Sequence, residues 1–91
     1  MTYVRESTVE NHLIKVAKAH GFRVRKLVWV GRRGAPDRVL MKKPGVIIFV
    51  ELKAPKGVIE DHQIREHKRL RADGFRVAVL WSKEAIDEYF K

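Results

Sequence analysis

The chain predicts an α/β fold: a mixed four-stranded sheet flanked by helices, with elements in the order α-β-β-β-α-β-α. Three observations carry that expectation. Val46-Ile47-Ile48-Phe49-Val50 is an unbroken apolar run, too short and too β-branched for a helix, and reads as a central strand buried on both faces. Lys42-Lys43-Pro44-Gly45, just before it, is a turn signal that folds a hairpin with Arg38-Val39-Leu40-Met41. A helix-length stretch then separates the hairpin from a further strand-like run, Phe75 to Trp81.

The elements follow in order from their punctuation. Ser7-Thr8-Val9-Glu10 has the pattern of a capping box and opens the first helix. Val9, Leu13, Val16 and His20 form its stripe, flanked by Ile14 and Ala17, and Gly21 ends it. Phe22 to Val30 reads as a strand in which Arg23 and Arg25 alternate with Phe22 and Val24. Gly31-Arg32-Arg33-Gly34 is a loop. The hairpin strands end near Lys53, and Ala54-Pro55-Lys56-Gly57 is a second loop. A helix runs from about Glu60 to Asp73, closed by Gly74. Beyond the fourth strand, Ser82 caps a short final helix through Ile86 and Phe90. Residues 1–91 make a single domain, large enough for one core and not for two. No repeat, linker or low-complexity stretch interrupts them.

Composition narrows the partners. Twenty Lys and Arg against eleven Asp and Glu give a formal charge of +9 and a pI near 10.3. That balance favours a polyanionic partner; a merely soluble basic domain is the bland alternative. The absence of cysteine excludes a disulfide frame and a thiolate metal site, and leaves the redox compartment open. Thr2-Tyr3-Val4-Arg5-Glu6 holds no apolar signal core, and no run is long enough to span a bilayer. No membrane association and a cytoplasmic location are the expectation.

Gly34-Ala35-Pro36-Asp37, followed after thirteen residues by Glu51-Leu52-Lys53, is the segment pair that carries chemistry. The hairpin brings residue 37 opposite residue 50 or 51, and cross-strand partners lie roughly 5 Å apart. A slip of one residue would flip the face, so the register or a local bulge must set Asp37 and Glu51 on one side. Glu51 and Lys53 are two apart and share a face. Two anions this close require a cation between them, or neutralisation by Lys53 and nearby arginines. Mg²⁺ takes one or two carboxylates and completes its octahedron with water and phosphate oxygens, which this set matches. The alternative is a strand end leaving the core, with Glu51 and Lys53 a solvated pair. E-x-K alone is common; the ordered combination on a buried strand with a hairpin partner favours a site.

These residues resemble the PD-(D/E)XK nuclease superfamily, and most closely its VRR-NUC (virus-type replication-repair nuclease) branch, over nearly the whole chain. The family pattern is a helical Glu, then G-x-P-D, then E-x-K, then a Gln at the start of the next helix. It falls here on Glu10, on Gly34 and Pro36-Asp37, on Glu51 and Lys53, and on Gln63. Where the family often has Ser or Thr shortly before that Gln, this chain has Glu60-Asp61-His62. The resemblance implies a restriction-endonuclease-like core and phosphodiester hydrolysis with Mg²⁺ or Mn²⁺. Asp37, Glu51 and the backbone carbonyl of Leu52 would hold the ion. Lys53 would serve the attacking water or the phosphate, and Glu10 would bind a second ion or position water. Stand-alone members look like Holliday-junction resolvases and tend to act as homodimers, so a branched DNA substrate and a dimer are implied.

Several residues carry two readings. Glu10 falls between Ala17 and Ile14 on the helical wheel, inside the apolar arc; it is either the capping-box acid or an active-site acid, and the two are not exclusive. Gln63 shares a helical face with Ile64, His67 and Leu70, and could bond to phosphate or to Glu51, or be an ordinary first-turn polar residue. His62 and His67 are about 140° apart around a helix and do not make a metal pair. Arg23, Arg25, Lys26, Arg32 and Arg33 read as a phosphate-tracking surface. Arg65, Lys68, Arg69 and Arg71 read as a solvated helix face. Trp29, Trp81, Ile86, Tyr89 and Phe90 are candidates for a dimer interface, with core packing the simpler account for some. The rival classes are a non-catalytic basic nucleic-acid-binding module, a flap-type nuclease and a structural subunit of a replication complex.

Overall fold

Alternation on the central strand organises the molecule. The computed structural model describes residues 5–91, and the Thr2-Tyr3-Val4 stretch read above lies outside the described residues. Its elements are α1 (Glu6–Ala19), β1 (Arg23–Lys26), β2 (Arg38–Lys42), β3 (Val46–Leu52), α2 (Asp61–Ala72), β4 (Arg76–Leu80) and α3 (Lys83–Tyr89). The sheet has the order β1-β2-β3-β4. The first two pairings are antiparallel, and β3 pairs with β4 in parallel through the α2 crossover. Ile48, Val50 and Leu52 turn to one face, where they form the core with Leu40, Ala78, Leu80, Phe22, the α1 residues Val9, Leu13 and Ala17, and Ile86 of α3. Burial of this kind contributes about 1.5–3 kcal/mol for each large aliphatic side chain. The opposite face carries Ile47, Phe49 and Glu51, and α2 lies on that side.

Three expectations are corrected. The Ser7–Glu10 capping box does not form: α1 begins at Glu6, its N-cap is Arg5, and no side chain caps it. Glu6 enters the first turn, where a negative charge suits the helix dipole, and the Glu10 carboxylate is drawn to Arg38 instead. The second correction concerns β1, which stops at Lys26 rather than Val30. Leu27 still donates its N–H to the Asp37 carbonyl at 3.0 Å. The chain then leaves the sheet because the Trp29 indole N–H finds its acceptor on α2, at Glu66. Thirdly, β3 is not buried on both faces: Ile47 is exposed and Phe49 half-buried, while the other face is closed. The final helix agrees with its sequence, since Ser82 Oγ accepts from Ala85 N at 3.0 Å. Among the described residues no helix is long and apolar enough to cross a membrane.

Candidate active site at the ends of β2 and β3

The register settles the face. Arg38 pairs with Val50, so one step further Asp37 stands opposite Glu51 and no bulge is needed. The Asp37 side chain turns across the gap, and its Oδ2 accepts from Leu52 N at 2.8 Å. Its approach is set by Gly34-Ala35-Pro36. Gly34 has φ +96°, and a Cβ there would lie 2.8 Å from the His62 carbonyl oxygen and 3.2 Å from Glu66 Cβ. Only glycine both adopts that backbone and lets the loop press on α2. Pro36 is fully buried and fixes the chain just before the aspartate.

Glu51 is buried to 1 % exposure although it is ionisable. Lys53 Nζ lies 3.7 Å from its Oε2, on the shared face that two-residue spacing requires. Gln63 Nε2 donates to the same Oε2 at 3.1 Å. Gln63 Oε1 meanwhile accepts from Glu60 N at 2.9 Å. The two readings of Gln63 are thus combined: it closes the first turn of α2 and reaches the carboxylate. Glu60 is the N-cap of α2, and the Gln63 side chain closes back on its N–H. Glu51 Oε1 is buried without a hydrogen-bond partner, an arrangement that costs about 1–3 kcal/mol.

The electrostatics follow from that burial. The Glu51 carboxyl is pushed up to about 8, first by desolvation and then by the charge and hydrogen bonding of Asp37, against the pull of Lys53; Glu6 adds to the rise. A cation between the two carboxylates would let Glu51 ionise and would engage its free oxygen, so the residues present fit a divalent ion. Among the described residues no three His, Asp or Glu side chains converge as a ready ligand set. Two carboxylates suit an ion that keeps most of its waters, as Mg²⁺ does.

Glu10 is not joined to this cluster by a direct contact. It pairs with Arg38, the neighbour of Asp37 on the opposite face. The arginines of β1 are exposed. Arg32 Nε lies 3.6 Å from Glu66 Oε1, and an Arg33 nitrogen lies 3.3 Å from His62 Nδ1. Trp81 is half-buried. Three of the dimer candidates are consumed by the fold, because Ile86 is fully buried, Phe90 meets Phe22 edge-on with ring centroids 5.8 Å apart, and the Trp29 indole is held by Glu66.

Two residues escaped the sequence reading. Glu66, only 7 % exposed, accepts from the Trp29 indole at 2.6 Å and from Arg69 at 2.9 Å. Burial acts to raise its carboxyl, but the Arg69 and Trp29 hydrogen bonds and the Arg32 and Arg69 charges hold it below the usual range. No sequence signal links it to Trp29, 37 residues away. His67, also buried, stands beside Glu51; its spacing of four from Gln63 was the available signal. Two surface depressions lie at the other end of the sheet, lined by residues such as Arg23, Met41, Ile47 and Phe75. They touch neither Asp37 nor Glu51; the convergence of charged groups locates this site.

A four-stranded mixed sheet with P-D and E-x-K at neighbouring strand ends, gripped by a helical Gln, defines a nuclease domain of the restriction-endonuclease-like class. The VRR-NUC domain model matches residues 5–84, and the chain belongs to the VRR-NUC family. It is 44 % identical over 84 residues to a protein named "Putative nuclease p44" from Acyrthosiphon pisum secondary endosymbiont phage 1, covering 92 % of this chain and 90 % of that one. It is also similar to a solved VRR_NUC domain structure, with a TM-score of 0.86 and 39 % identity over 91 % of this chain and 90 % of that chain.

Proposed function

We propose that this domain is a metal-dependent endonuclease that hydrolyses phosphodiester bonds in branched DNA. The observation that carries the reading is the buried Glu51 facing Asp37, with one carboxylate oxygen unpartnered and Lys53 at 3.7 Å. Asp37, Glu51 and the Leu52 carbonyl are the groups that would hold Mg²⁺, or Mn²⁺ in its place. What the cation supplies is positive charge opposite the scissile phosphate and a water of lowered pKa.

The chain's own residues do the rest. Lys53 Nζ, a compact point charge, orients the attacking water or neutralises the charge that builds on the phosphate. The water oxygen bonds to phosphorus as the bond to the leaving sugar oxygen breaks. Gln63 fixes Glu51. Glu10 becomes available to a second ion only when its pair with Arg38 opens. Arg23, Arg25, Lys26, Arg32 and Arg33 hold flanking phosphates, which positions DNA without reading its sequence. Among the groups placed here none reads bases, so the target is a shape.

A four-way junction presents two symmetric strands, and a two-fold homodimer brings one site to each. Of the candidate interface residues, Trp81 and the exposed Tyr89 remain free to serve it. The test is incubation with four-way junctions, flaps, duplexes and single strands under Mg²⁺, Mn²⁺ or EDTA. Paired symmetric nicks in junctions, abolished by EDTA, are expected. Trimming of flaps alone would make it a flap nuclease, and binding without any cleavage would make it a non-catalytic module.

A further inference from the structure

The face of α2 turned to the sheet carries two polar side chains one turn apart. Gln63 and His67 are related as i and i+4, so they are neighbours on the helix surface. Gln63 takes one oxygen of Glu51, with Nε2 at 3.1 Å from Oε2. His67 Nε2 stands 3.6 Å from the other oxygen, Oε1. Neither His67 Nε2 nor Glu51 Oε1 has another hydrogen-bond partner, and both atoms are buried. At 3.6 Å they are not yet hydrogen-bonded, but a shift of a few tenths of an ångström closes the gap. Buried polar atoms are nearly always satisfied, and each of these is the partner nearest to hand for the other. In a neutral imidazole one ring nitrogen bears hydrogen and the other does not. Hydrogen on Nε2 makes His67 a donor to Oε1.

We propose that His67 is a positioning residue: with Gln63 it forms a two-pronged grip from α2, one prong on each oxygen of Glu51, which fixes the rotation of that carboxylate. Each carboxylate oxygen has two lone pairs, so Oε1 can accept from His67 and still offer its second lone pair to the cation. The proposal rests on the reading of Asp37 and Glu51 as cation ligands. Outer partners of this kind typically contribute roughly 10- to 100-fold in metal affinity or activity.

Two measurements test it. Nitrogen-15 NMR of the Mg²⁺-loaded wild type should show His67 as the Nε2–H tautomer; a bare Nε2 would overturn the grip. Mn²⁺ titration without DNA should show His67→Leu weakened roughly 10- to 100-fold, with kcat lowered similarly and KM for DNA unchanged. His67→Gln, which keeps an N–H at similar reach, should recover most of the loss. Equal Mn²⁺ affinity and turnover in His67→Leu would sink the grip alone, whereas a wild type that takes up no Mn²⁺ would sink the ligand reading and the grip together. A switch of His67→Leu from Mn²⁺ to Mg²⁺ preference would make His67 a ligand and contradict the positioning role. Should His67→Leu fail to fold, the tautomer still decides.

Discussion

At the scale of single residues the account turns on Glu51. In an unfolded chain its carboxyl titrates near 4.5, and in the fold it is pushed up to about 8, by burial first and by Asp37 next. Between those values the folded chain binds more protons than the unfolded one, so stability falls as pH rises. This contribution is fully present below the unfolded value and lost above about 8. The slope is at most about 1.4 kcal/mol per pH unit. Thermal unfolding of the metal-free wild type should therefore decline from pH 5 to 8 more steeply than that of Glu51→Gln, and Mg²⁺ should recover the loss. Parallel profiles would show that Glu51 is not desolvated as described. In cleavage assays Asp37→Asn and Glu51→Gln should each lose on the order of 10³-fold in turnover while still binding DNA in EDTA. Lys53→Ala should lose turnover and retain metal affinity. Glu51 and Lys53 were legible as sharing a face from their two-residue period, whereas Asp37 joined them only on an assumed register, which the pairing of Arg38 with Val50 supplies. His67 was less so, because its spacing of four from Gln63 shows a shared helix face but not which strand that face will cover.

At the scale of elements, the loop between β1 and β2 is where reading from sequence stopped working. Alternation of Arg23 and Arg25 with apolar neighbours continued naturally toward Val30. The strand nevertheless ends at Lys26, since Trp29 gains a buried acceptor in Glu66 that no local pattern encodes. The cap of α1 failed for a similar reason: Glu10 had two suitors, the helix N-terminus and Arg38, and the second is a tertiary partner. By contrast, Ser82 acts locally, and its cap could be anticipated from the sequence; Gly34 combines a local positive φ with a tertiary contact to α2. Gly34→Ala should destabilise the domain by about 1–3 kcal/mol, measured by urea unfolding, because it meets both a positive φ and the His62 carbonyl. It should also lower activity by lifting Asp37 from Glu51. An unchanged midpoint would mean that the loop does not press on α2 as described.

At the scale of the whole molecule, the +9 charge and the exposed basic strand imply salt-sensitive binding. DNA affinity should fall log-linearly with salt, with a slope of about −0.9 per phosphate engaged. Replacing Arg32 and Arg33 together by alanine should flatten the slope by up to about 2; an unchanged slope would remove that loop from the interface. Arg32 is already part-neutralised by Glu66, so Arg33 should account for the larger share. Light scattering at micromolar concentration should give twice the chain mass if Trp81 and Tyr89 lie in an interface. A monomer that still made paired nicks would remove the dimer from the mechanism.

The central claim is that Asp37 and Glu51 together hold a divalent cation, and Mn²⁺ paramagnetic resonance tests it most directly. At pH 8, where Glu51 can ionise, free Mn²⁺ signal should disappear as wild type is added, to a stoichiometry of about one ion per chain. Asp37→Asn and Glu51→Gln should each leave the signal intact. Uptake by either variant equal to that of the wild type, or no uptake by the wild type, would contradict the account.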